Sequence, residues 1–191
     1  MTQSGFSLVE TLVAISILLI VMIGPMTISS SAARSTSFSS EQVTAFFLAQ
    51  EGAELAQKAR DDLQLIYFSG TQNSPWATFT NTNGTYQHCY GVNGCGITIG
   101  NNQAGSLSLV NCGSSQTSCL LYLDTETAGL RSHFTHTVGT NDVTSFTRKI
   151  FFQNVNANEV KVISRVTWRT GSILREQEVE VETRLFNVYG N

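Results

Sequence analysis

A length of 191 residues suits one domain with a short additional segment, and a hydrophobic fraction of 41% is enough for a compact core. Charged residues make up only 13% of the chain, about half the usual globular share, so Ser, Thr, Asn, Gln and Gly carry the polarity, as suits an extracellular surface. The formal net charge is -3 and no run of Lys or Arg occurs, which gives no support to nucleic-acid binding through a broad basic face.

The chain opens Gly5-Phe6-Ser7-Leu8-Val9-Glu10, and the segment from Phe6 to Ile23 is otherwise almost entirely apolar. The run resumes after Gly24-Pro25, and residues 6–28 as a helix extend about 34 Å, enough to cross a bilayer. Glu10 is a costly residue inside such a segment and marks function by default. An ordinary secretory signal is the competing reading, with Ser30-Ser31-Ala32-Ala33 as a cleavage site. It lacks the basic residues expected before the apolar run, and its hydrophobic region has no use for a carboxylate.

The Gly-Phe-Ser-Leu-Val-Glu sequence followed by an apolar helix resembles the processing site of type IV prepilins and pseudopilins. The resemblance implies that a prepilin peptidase cuts after Gly5 and methylates the new amino group of Phe6. It also implies that Glu10 attracts the positive amino terminus of a neighbouring subunit during filament assembly. Residues 1–5 are then a leader, 6–28 a transmembrane anchor, 29–68 an amphipathic helix continuing from it, and 69–191 a globular pilin-like head. The basic residue common before the glycine in such leaders is missing here; the first positive charge is Arg34. Gly24 and Pro25 interrupt the helical hydrogen-bond ladder and mark the expected kink.

Ser29–Ser40 leaves two readings open, a continuous helix or a frayed joint. Beyond it, Ala45, Leu48, Gly52, Leu55, Ala59, Leu63 and Ile66 recur at steps of three or four, a helical stripe suited to packing on a sheet. Phe46 and Phe47 lie beside the stripe, and Ser69-Gly70 supplies a stop. Residues 71–118, rich in Asn, Gly, Ser and Thr, predict loops and short strands, with alternation at Ile97–Ile99 and Leu107–Val110 and a further strand at Leu120–Leu123.

Four cysteines lie in this middle section: Cys89, Cys95, Cys112 and Cys119. Their spacings are too wide for a usual structural zinc pair, and an even count in an oxidising compartment reads as disulfides. Local pairs Cys89–Cys95 and Cys112–Cys119 are the preferred connectivity, although three are possible.

Three strands close the chain, at Phe146–Gln153, Glu159–Arg169 and Ile173–Phe186. In the second, Val160, Val162, Val166 and Trp168 share a face; in the third, Ile173, Val179, Val181 and Leu185 do, with Glu176, Glu178, Glu180 and Glu182 opposite. A tight turn at Thr170-Gly171 predicts the pairs Trp168 with Ile173, Val162 with Val179, Val160 with Val181, Lys161 with Glu180 and Arg165 with Glu176. The predicted fold class is α+β, a long N-terminal helix packed on a C-terminal antiparallel sheet. This terminal hairpin is similar to the heads of minor pilins and minor pseudopilins, nearest to the pilus-modification minor pilins and the I-type pseudopilins of type II secretion.

Motifs for catalysis are missing from the sequence. His133 and His136 lie in a Thr- and Gly-rich stretch without HExxH, and neither a calcium loop nor a phosphate loop is present. No cofactor and no metal are expected. The resemblance implies a structural, non-enzymatic subunit whose partners are prepilin peptidase, other pilin or pseudopilin subunits, an inner-membrane assembly platform and, before assembly, membrane lipid. Its head then lies outside the cytoplasm and later in an extracellular or periplasmic filament. The alternatives are a filament-displayed adhesion or DNA-uptake module and a secreted, disulfide-bonded binding domain.

Overall fold

A computed structural model of the protein describes residues 7–70, 74–100, 106–113, 119–125, 132–138, 142–169 and 175–188. The chain divides into two compact units, Met1–Glu41 and Gln42–Asn191. Helix α1 runs from Leu8 to Phe68, and Ser29–Ser40 is helical throughout. It ends where Gly70 takes a positive φ of 80° and its N–H donates to the Tyr67 carbonyl, a left-handed cap that glycine adopts without strain.

In the second unit, α1 presents Ala45, Leu48, Ala49, Gly52, Ala53, Leu55, Ala56 and Ala59 to the core. Small residues dominate this stripe, which permits a close approach between helix and sheet. The stripe stops at the half-buried Leu63; Ile66, which continues the sequence pattern, is 45% exposed.

The antiparallel sheet has seven strands: β1 Cys95–Ile99, β2 Leu107–Asn111, β3 Leu120–Asp124, β4 His133–Thr135, β5 Asp142–Asn156, β6 Glu159–Trp168 and β7 Gln177–Phe186. Their order is β2-β1-β5-β3-β4, with β6 on β5 and β7 on β6. Two short helices, α2 Pro75–Thr80 and α3 Gln87–Tyr90, lie in the section whose sequence shows no clear periodicity. Proline at the first position of α2 starts it, and Trp76 and Phe79 then bury their rings. Phe79 lies 5.1 Å from Phe152 and 5.3 Å from Tyr86 between ring centres, so aromatic packing, not local propensity, orders this section.

The register of β6 and β7 differs from the one the sequence predicts. Val160 pairs with Leu185, Val166 with Val179, Arg165 with Glu180 and Trp168 with Gln177, a displacement of four residues. An even displacement keeps every apolar residue on its face, so alternation alone does not distinguish the two registers. Overlap does: the observed one pairs all ten residues of each strand and buries Leu185 against the core, whereas the tight-turn register carries Leu185 past the start of β6. Ile173 and the Thr170-Gly171 turn lie outside the described residues.

The core has two apolar clusters. One contains Leu55, Ala59, Ile150, Val162 and Leu185; the other contains Leu48, Ala49, Phe146, Val166 and Trp168. On each element the residue separating them is polar or lacks a side chain: Gly52 on α1, Arg148 on β5, Ser164 on β6. Arg148 is fully buried. Its Nη1 donates to the Leu48 carbonyl (3.2 Å) and to Glu51 Oε2 (2.8 Å), and its Nη2 donates to the Ile97 carbonyl (3.0 Å). A Cβ on Gly52 would stand 2.3 Å from Ser164 Oγ, so glycine is required where helix and sheet meet.

Close by, His136 donates through Nδ1–H to the Leu120 carbonyl (3.2 Å), and its ring lies against Gly96, where a Cβ would come within 2.7 Å. Burial, then the Arg148 charge, lowers the His136 pKa to about 4 despite that carbonyl.

Three outcomes follow from this packing. Gly52→Ala gains about 1 kcal/mol of helix propensity, yet the clash reverses the sign, and a net loss of about 1–2 kcal/mol is expected in urea unfolding, partly restored by adding Ser164→Gly. Glu51→Ala leaves a buried guanidinium without its carboxylate and is expected to cost about 3 kcal/mol in the same assay. The folded state resists protonation of His136, so stability is complete above about pH 6.5 and falls by up to about 3 kcal/mol as pH drops toward 4. In His136→Gln, unfolding midpoints measured from pH 7 to 4 should lose that part of the slope.

Candidate functional site

Within the first unit, α1 carries no continuous polar face from Leu8 to Ile28. Its large apolar side chains are between 52% exposed, at Val13, and 76% exposed, at Leu8, and none is buried. A helix apolar all round is stable only where lipid or other protein surrounds it. The hydroxyls along it are internally satisfied: Thr11 Oγ1 donates to the Leu8 carbonyl (2.9 Å), Ser16 Oγ to Leu12 (2.8 Å), Thr27 Oγ1 to Gly24 (2.8 Å) and Ser30 Oγ to Thr27 (3.0 Å). Such back-bonding lets Ser and Thr sit in an apolar setting.

Glu10 has no equivalent arrangement. It lies in the first turn of α1, where the helix dipole favours an anion. Among the described residues, no ion pair involves it. Arg34, the next charged residue along α1, is 24 positions away, about 36 Å of helix. Its own helix therefore supplies no cation for the carboxylate. Gly5 and Phe6 lie outside the described residues. The helix passes unbroken through Gly24 and Pro25, with Pro25 removing one N–H from the ladder and no atom beyond the neighbouring backbone within 4 Å of a Cβ on Gly24.

The cysteines occupy the head's core. Cys89 pairs with Cys95 and Cys112 with Cys119, with Cα separations of 4.5 and 5.0 Å, and all four are fully buried. The first pair fixes α3 to the start of β1; the second joins the chain leaving β2 to the chain entering β3. His133 and His136 occupy β4 and its end rather than a helix. Among the described residues no group of three or more His, Cys, Asp or Glu forms a metal-binding cluster.

Arg148 does not stand out in the sequence. The one signal there is its inward position in β5, between Phe146 and Ile150, where the alternation calls for an apolar residue.

No curated protein and no solved structure matches the chain. The family model for the prokaryotic N-terminal methylation motif matches residues 1–24. The segment holding Gly5, Phe6 and the isolated Glu10 is thus the prepilin signature of type IV pilin-like proteins, followed in the same chain by a long apolar helix and an α+β head.

Proposed function

We propose that the protein is a structural minor pilin or pseudopilin, built into a type IV pilus-like filament after removal of residues 1–5 by prepilin peptidase. The observation that carries this reading is a single carboxylate, Glu10, within the methylation motif at the head of an uncovered apolar helix. Before assembly, the apolar surface of residues 8–28 holds the subunit in the cytoplasmic membrane, with the head outside the cytoplasm. During assembly, other subunits' helices replace lipid around that surface.

Exchange of lipid for equally apolar helices provides little directional force, since both surroundings are oily. Charge provides the direction. Cutting after Gly5 creates a cationic amine at Phe6, four residues from Glu10. An amine and a carboxylate 4 Å apart attract by about 4 kcal/mol at an effective dielectric constant of 20. Both ions are costly in lipid while unpaired. A subunit that aligns its Phe6 amine with the Glu10 of a neighbour removes both costs at one axial register. The role is assembly rather than catalysis.

The test is substitution at Glu10 in cells that make the filament. Glu10→Ala should leave membrane fractionation of the subunit unchanged and lower its recovery in sheared filaments about tenfold or more, while Glu10→Asp should retain part of it. Wild-type levels of Glu10→Ala in filaments would remove the carboxylate from the mechanism.

A further inference from the structure

The outward face of β5 and β6 carries a feature that helix-driven assembly does not use. Thr147 pairs with Thr167 across the two strands, and the next outward pair sets Lys149 against Arg165. Cross-strand neighbours have Cβ atoms about 5 Å apart, and like charges there are destabilising. Arg165 is compensated: it bonds Glu180, approaches Glu178 at 3.7 Å and lies over the Phe151 ring at 5.3 Å. Lys149 is half-buried and makes no ion pair or hydrogen bond among the described residues. The four side chains line a groove of about 230 Å³, closed on the β7 side by Glu176 and Glu178.

We propose that this square of two cations and two hydroxyls is a docking site for a carboxylate of an acidic polypeptide segment, with Lys149 as its principal contact. A carboxylate there would supply the counter-ion that Lys149 lacks and that Arg165 already has. The threonine hydroxyls can donate to the remaining oxygen lone pairs. By strand register Glu180, which Arg165 engages, stands two strands across the sheet from Lys149, about 10 Å away, and Glu178 and Glu176 lie farther off toward the start of β7. They repel an anion from that side and confine it to the Lys149 corner. Arg165 lies over one face of the Phe151 ring, so that face is not offered to a sugar. The site lies on the head and does not depend on the filament reading.

The probe is a capped peptide of alternating Gly and Glu, with a Gly-Lys peptide as control, titrated against the full chain in detergent micelles at low salt. Binding is followed by fluorescence anisotropy and by chemical shifts at the Lys149 side chain. The Glu peptide should bind and shift Lys149, the Lys peptide should do neither, and binding should weaken as salt rises. Lys149→Gln should weaken binding about tenfold with an unfolding midpoint equal to or above that of wild type. Lys149→Arg should stay within about threefold of wild type, and Thr167→Val should fall between the two. Unchanged affinity in Lys149→Gln, shifts confined to other basic residues, or no binding of the Glu peptide would overturn the site.

Discussion

The contact between Glu51 and Arg148 ties the head's helix to its sheet, and the surrounding sequence is arranged to allow it. A fully buried guanidinium needs a carboxylate and carbonyl acceptors, and these come from two different elements: Glu51 and Leu48 on α1, Ile97 on β1. For the guanidinium to reach them, α1 must lie close to β5 and β6, which explains glycine at position 52 and serine at 164. The apolar clusters on either side supply most of the burial energy without fixing how far the helix slides along the sheet. The polar layer between them supplies that restriction, because a displacement of one helical turn strands a buried charge.

The amino-terminal half of the same helix poses the opposite problem. In the head, one stripe of α1 is apolar and packed; from Leu8 to Ile28 the whole circumference is apolar and uncovered. Surroundings of lipid or of sister helices resolve this, and hydroxyls bonded to their own backbone remain compatible with either. Glu10 alone is not resolved within its helix. A carboxylate some 36 Å of helix from the nearest basic residue along α1 calls for a cation from elsewhere, the role that the proposed function gives to an amino terminus at Phe6.

The apolar helix that begins at Leu8 is legible because its unbroken apolar run is long enough to cross a bilayer by length and composition. The head stripe from Ala45 to Leu63 is legible because helical periodicity is strong there. The three C-terminal strands are legible from alternation, yet their register is not. A four-residue displacement preserves parity, so only the overlap of the strands and the burial of Leu185 decide it. Helices α2 and α3 are hidden because their order comes from Phe79, Tyr86 and Phe152 meeting across 66–73 residues of chain, and no local pattern records that. Arg148 is hidden for a related reason: as a charged residue it reads as solvent-facing until the fold places Glu51 opposite it. At the amino terminus the reverse holds. The motif of residues 1–24 is plain in sequence, while the structure describes its residues only from Ser7 onward.

The central claim is that the uncovered helix is retained and made into an assembly element by a cut at its start. Intact-mass measurement of the protein purified from membranes of cells carrying the prepilin peptidase tests this directly. The account predicts a single mass for a chain that begins at a methylated Phe6 and still contains the apolar helix. A chain beginning beyond Ser30, with that helix removed, would contradict it.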